Sequence, residues 1–272
     1  MVVDSNFLQS PKLRDYLLES TNNFAVLTEY ASIEAHKGNT LVSVFRSMGL
    51  LADFPRQVIV LKPTIVARGL RGRRREVQHR LIDHQQTRDF PEYCDHLLAA
   101  KLGDVHLRDQ ILRLGRDADA EMARVLGDAI SIPVAIEALA EIFTDAELKV
   151  LRTGSPFSES LASKVVKSVL LTTRFLFSQQ PNPAVVYSFD DLLNTFLFRT
   201  ALCSIFWALD WISVAGPGDI KPEKMLNDLV DLNFATFATY FDGLLSMDTK
   251  AKRIYQIAAI LLDSYTIKLS DK

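Results

Sequence analysis

Residues 227–255 read NDLVDLNFATFATYFDGLLSMDTKAKRIY. Asp228 and Asp231 are three positions apart, so in a helix both carboxylates leave one face near its start. That face continues through Ala235 and Ala238, flanked by Phe234, Phe237 and Phe241, as in a helix lying close against a sheet. Gly243 to Met247 then forms a short apolar strand ending in Asp248, and Thr249 to Leu262 has the pattern of another helix. Helix, strand, acid and helix in that order put Asp248 just past a strand end, where open α/β sheets bind ligands. A plainer account stands beside it and is the one this stretch alone favours: Asp248 as a helix N-cap, with Asp228 and Asp231 as solvated first-turn acids.

The N-terminus repeats the order of strand, then acid. Met1-Val2-Val3 is a minimal strand running into Asp4, Ser5 and Asn6. Ser10 caps a helix with Pro11 at its first position and Leu13, Leu17 and Leu18 in apolar spacing, and Asn22-Asn23 ends it. Phe24 to Leu27 forms a second strand, after which Thr28 caps a helix that carries Glu29 and Glu34 and stops at Gly38. Glu29 and Glu34 leave different faces of that helix, so only one of them shares a site with Asp4. Asn39 to Phe54 reads as an amphipathic helix, and Gln57 to Lys62 as a strand closed by Pro63.

With 272 residues, 48% hydrophobic and 24% charged, the composition is that of an ordinary globular chain. A formal net charge of −2 gives no global attraction to nucleic acid or anionic membrane, so any polyanion must be held by a local patch. Cys94 and Cys203 lack metal-ligand spacing and read as reduced, buried thiols of a cytoplasmic protein. Asp4 follows Met-Val-Val directly, unlike a signal peptide. The most apolar long window, Leu192 to Ala215, is interrupted by Arg199 and Asp210 and reads as a core helix rather than a membrane span.

The D-x-N of Asp4 and Asn6 at a strand end, Glu34 four residues before Gly38, then Asp231 and the S-x-D of Ser246 and Asp248, resemble the PIN-domain nuclease family. Asp231 and Asp248 are seventeen residues apart with Ala238 between them, which is similar to the last third of that family. The resemblance covers roughly the first 65 and the last 50 residues, and on it residues 1–66 and 214–272 form one discontinuous nuclease-like domain. The resemblance implies a Rossmann-like three-layer α/β/α sandwich with a mainly parallel sheet, and divalent-metal-dependent cleavage of RNA, sometimes of structured or single-stranded DNA; the expected RNA partner is tRNA or another structured RNA. On that resemblance Asp4, Glu34, Asp231 and Asp248 are the catalytic metal ligands and Asp228 a fifth acid or a support. Asn6 and Ser246 then hydrogen-bond to ligands or phosphate. The chemistry agrees: Mg²⁺ and Mn²⁺ are hard cations that take carboxylate and water oxygens, so several acids from distant segments suit them better than histidine or cysteine.

Residues 67–213 exceed what a compact PIN domain carries and read as a helical insertion. Breaks at Gly103, Gly115, Pro133, Thr153 to Pro156 and Pro181-Asn182-Pro183 predict about five or six helices. Its opening holds Arg68, Arg71, Arg73, Arg74, Arg75 and Arg80, which either meet an RNA backbone near the site or form exposed ion pairs with Glu76 and Asp83. The insertion is also the expected surface for a protein partner or a second copy. The five histidines lack the spacing of a helical zinc pair, with His36 a minor phosphate-contact candidate, and Phe189 through Trp211 read as core or subunit interface. No G-x-S-x-G, P-loop or dinucleotide fingerprint is present. Two functions follow: a metal-dependent endoribonuclease, in a setting such as a toxin or defence effector, or a catalytically silent PIN-like scaffold that recruits a partner through its insertion.

Overall fold

The computed structural model describes residues 1–181, 188–214 and 222–270. Four short strands make one parallel sheet: β1 (Val2–Val3), β2 (Ala25–Leu27), β3 (Val58–Val60) and β4 (Leu244–Leu245), in the order β3-β2-β1-β4. Val2 pairs with Val26 on one side and Leu244 on the other, and Ala25, Val26 and Leu27 pair with Val58, Ile59 and Val60. A parallel sheet is covered on both faces, so its strands are continuous apolar runs rather than alternating ones. Val2, Val3, Ala25, Val26 and Leu27 are accordingly all buried. The chain builds outward from β1 to β2 and β3, then returns to the far side of β1 to lay down β4. Such a reversal, here at the carboxyl ends of β1 and β4, is where open parallel sheets bind ligands.

α1 (Pro11–Glu19) links β1 to β2, and α2 (Glu29–His36) and α3 (Thr40–Met48) link β2 to β3. The expected caps form: Ser10 accepts from the Lys12 N–H and Thr28 from the Ala31 N–H. After β3 come α4 (Thr64–Ala67) and α5 (Arg74–Leu81), with Leu61 bridging Ile82 in antiparallel fashion. The long helical block continues through α6 (His84–Leu102), α7 (Val105–Ala129), α8 (Ile132–Ala140), α9 (Asp145–Thr153), α10 (Glu159–Ser178), α11 (Phe189–Leu193) and α12 (Phe196–Ser213). α13 (Pro222–Ala238) precedes β4 and α14 (Thr249–Ser270) follows it.

Helices α5 to α12 number eight among the described residues, more than the five or six expected, because breaks not expected from the sequence separate α5 from α6, α8 from α9 and α11 from α12, while of the expected breaks only the one at Gly115 is absent. Gly115 lies inside α7. A Cβ there would fall 2.0 Å from Thr40 Oγ1, so the missing side chain is what lets α7 lie against the start of α3. Pro133 lies in the first turn of α8, where its absent N–H forfeits no helical bond. Gly103 and Gly154 do end helices, in the left-handed conformation that glycine adopts without strain. Of the break expected at Pro181-Asn182-Pro183, Asn182 and Pro183 lie outside the described residues.

The result is a mostly helical chain around a small parallel sheet, an α/β fold with additional helices. α12 packs on α13, and α7 packs on α2 and α13, so one hydrophobic core runs through the sheet and the helical block. Phe196–Ser213 is long and apolar enough to cross a membrane, and 72% of it is buried within the protein, as a core helix is. Arg199 on this helix is 2% exposed. Its guanidinium donates to the carbonyls of Leu193 and Thr239 and lies 3.9 Å from the Tyr240 ring centre, tying α12 to the end of α13.

Candidate functional site

Asp4 stands immediately past β1, at the reversal of the sheet. Its N–H donates to the Leu245 carbonyl at 2.9 Å, so backbone pairing with the β4 strand extends to the acid itself. The residue is 1% exposed. Oδ2 accepts from Ser246 Oγ at 2.6 Å, and Oδ1 accepts from Ser5 Oγ at 3.2 Å and from the Asn6 N–H at 3.4 Å. Ser246 Oγ in turn accepts the Asp248 N–H at 2.9 Å. Burial raises the Asp4 carboxyl above its ordinary range, the Ser246 bond works against that, and the nearby Glu34 adds to it.

α2 offers two acids, and Glu34 is the one turned to Asp4. The Ser5 hydroxyl lies between Glu34 and Asp4 with its one proton shared between them, and Lys37 Nζ lies 2.9 Å from Glu34 Oε1. Glu29 instead accepts the Thr64 N–H at 2.9 Å, on the β3 side. Asp231 projects from α13 into the same region. Burial pushes its carboxyl up to about 8, with further upward contributions from Asp4, Asp248, Glu34 and Asp228. The four acids that the sequence pairs by resemblance therefore share one electrostatic neighbourhood.

Asp248 also does what the plainer account requires: its Oδ1 accepts the Ala251 N–H at 2.7 Å, capping α14. Asp228 and Asp231 are not first-turn acids, because α13 begins at Pro222. Of the two roles expected for Asp228, its contacts are those of a support. Its Oδ2 accepts from Trp207 Nε1 at 3.1 Å, Trp211 Nε1 at 3.0 Å and Lys250 Nζ at 2.6 Å, which neutralises it. Of Asn6, only the backbone N–H reaches Asp4, while its side chain is exposed. Ser5, Lys37, Lys250 and the two tryptophans escaped the sequence reading. A usable signal existed for the tryptophans, which are four apart on one helix and so share a face.

The arginine cluster is not brought to the acids as a unit. Arg74 faces Asp263 at 3.4 Å, and Arg75 lines a hollow with Met1, Phe24 and Asp242, the residues that precede β1, β2 and β4. In a parallel sheet those are the amino ends, opposite Asp4 and Ser246. Arg80 donates to the Arg71 carbonyl at 2.8 Å, and the Arg73 N–H donates to Glu76 in a helix-capping contact. Arg68 is exposed, and its charge reaches Tyr30 in the first turn of α2 together with those of Glu121, Glu29 and Arg124, not the acids around Asp4. His36 is buried with both ring nitrogens engaged, by the Ser32 carbonyl at 2.8 Å and the Tyr93 hydroxyl at 3.4 Å, which removes it as a phosphate contact.

Whether these groups suit a divalent ion has two parts. The donor type fits, since carboxylates with hydroxyl support are hard-cation ligands and a buried acid held up to about 8 lacks a counter-charge. The spacing is wider than a coordination shell: among the described residues, no three His, Cys, Asp or Glu side chains stand close enough together to hold a metal ion. Charge repulsion in a low-dielectric site acts over several bond lengths whereas a metal–oxygen bond does not, so these acids share a field without sharing a coordination shell. No protein-family model matches the chain, and no match is found among curated proteins or solved structures.

Proposed function

We propose that this chain is a PIN-like, divalent-metal-dependent endoribonuclease of the cytoplasm. The observation that carries the reading is the position of Asp231, held up to about 8 amid Asp4, Asp248 and Glu34 at the reversal of a parallel sheet. A carboxyl that cannot keep its charge without a cation is well placed to receive one. Asp4, Asp231, Glu34 and Asp248 are the residues that would hold Mg²⁺ or Mn²⁺, whose chemistry there is to acidify a water and to neutralise charge on phosphate oxygens.

The protein's own groups do the rest. Ser246 orients Asp4 from one side and Ser5 links it to Glu34 from the other, so the two carboxylates are aimed before anything binds. Asp231 carries a proton at neutral pH and can release it when positive charge arrives. Lys250 removes Asp228 from the set, which limits the negative charge an RNA phosphate must approach. Of the arginine cluster, the exposed Arg68 would be the one to meet an RNA backbone.

A second reading, a silent scaffold with the same fold, is favoured by the wide spacing of the acids and by the capping role of Asp248. Incubation with tRNA and with structured RNA separates the two. Cutting that needs Mg²⁺ or Mn²⁺, stops with EDTA and is lost in Asp4→Asn and Asp231→Asn with the fold intact supports the nuclease. Equal cutting by the variants, or no cutting and no divalent-ion uptake by calorimetry, supports the scaffold.

A further inference from the structure

A hollow of about 630 Å³ opens at the carboxyl ends of β2 and β3, beside the carboxylate site and separated from it by α2. Its volume lies in the range of roughly 300–1,000 Å³ usual for small-ligand sites. Glu34 turns from α2 toward Asp4, whereas Ser32, Ile33 and His36 of the same helix line the hollow. The opposite walls come from α6, with Phe90 and Tyr93, and from α7, with Leu114 and Ala118. α7 is set in place twice: the Gly38 N–H donates to Asp119 Oδ1 at 3.0 Å, and Gly115 lies against Thr40.

The charge of this lining has one sign. Glu29, Asp89, Asp117 and Glu121 stand around it, and no lysine or arginine is among the lining residues. His36 adds no positive charge. Its Nδ1 faces a carbonyl and must carry the proton, leaving Nε2 to accept from the Tyr93 hydroxyl, and burial lowers its pKa further. Glu121 is already paired with Arg124, and Glu29 accepts the Thr64 N–H, but Asp117 has no hydrogen bond or ion pair among the described residues. The rings of Phe90 and Tyr93, with centroids 5.7 Å apart, offer π faces beside these acids. Arg124 and Arg68 stand outside the lining, near Glu121 and Tyr30, so the acids left to face the hollow are Asp89 and Asp117, and apolar walls beside them favour a positive head on an apolar body over a phosphate or carboxylate.

We infer that this hollow binds a small organic cation, an amine carried on an aromatic or alkyl body, with its ammonium against Asp89 and Asp117 and its body against Ile33, Phe90 and Tyr93. This site is independent of the nuclease reading, since it uses none of the acids at β1 and β4.

The test is isothermal titration of the full chain with phenethylamine and with spermidine, and with AMP as the anionic control. One amine should bind saturably and AMP should not compete with it. Affinity should fall at least tenfold in the double variant Asp89→Asn, Asp117→Asn, whose positions are exposed and tolerate the change, and in Ala118→Trp, which fills the hollow. Asp231→Asn should leave it unchanged. The inference is overturned if neither amine binds or if the double variant binds as wild type does. It is also overturned if binding is lost in Asp231→Asn alone, which would put the cation among the carboxylates by β1.

Discussion

Ser246 donates its hydroxyl to Asp4 at 2.6 Å across a sequence separation of 242 residues. The bond joins the residue just past β4 to the residue just past β1, at the reversal of the sheet. Asp4 is buried, so loss of this donor leaves an acceptor short of a partner away from water. Ser246→Ala should therefore cost about 1–3 kcal/mol of stability and raise the Asp4 pKa further. Urea denaturation checks the first, and carboxyl titration followed by NMR checks the second. A neutral Ser246→Ala result would mean that water replaces the hydroxyl.

Asp231 gives a signed pH dependence. Its folded pKa is about 8, whereas an unfolded aspartate titrates near about 3.9. Between those values the folded state holds a proton that the unfolded state has released, so stability falls as pH rises through that window. Asp231→Asn removes the penalty. The variant should melt above wild type at about pH 8 and match it near about pH 4. Mg²⁺ or Mn²⁺ at neutral pH should raise the wild-type melting temperature and leave the variant's nearly unmoved.

The only two tryptophans of the chain, Trp207 and Trp211, both donate to Asp228, so intrinsic fluorescence reports on the edge of the carboxylate site. Mn²⁺ held by the neighbouring acids should quench this emission, and Mg²⁺ should compete the quenching away. Absence of quenching at millimolar Mn²⁺ would count against a metal there. Asp228→Ala should shift the emission and destabilise the fold, since it strips a shared acceptor from two indoles and leaves Lys250 unpaired.

Gly115→Ala sets two effects against each other. Alanine favours a helix interior by about 1 kcal/mol over glycine. The new methyl would lie 2.0 Å from Thr40 Oγ1 and 2.9 Å from Thr40 Cβ, and rotating the threonine relieves only the first contact. Overpacking of about 1–3 kcal/mol should win, giving net destabilisation by chemical denaturation. Thr40→Gly in the Gly115→Ala background should recover part of it, and the shift of α7 should weaken the amine site as well.

Periodicity and local rules made much of the α/β part legible. The two short strands at the N-terminus, the caps at Ser10 and Thr28, the strand at Leu244 and the helix after Asp248 all follow from spacing within a few residues. The helical block was read less well, since Gly115 looks like a break to any rule that sees only neighbours along the chain. Its reason is Thr40, far away in sequence. Asp228 and Asp231 looked alike for the same cause: three residues apart on one helix, they differ only in what other segments bring to them.

What the chain determined by itself is the order of acids on elements, with Asp4 after a strand, Glu34 and Asp231 on helices and Asp248 between a strand and a helix, because local propensity and periodicity are written in adjacent residues. Tertiary structure alone decided which carboxylate keeps a proton, which is neutralised by Lys250, and that Arg74 and Arg75 lie at the opposite end of the sheet from Asp4. Those outcomes depend on burial and on through-space charge, and neither exists until distant segments pack.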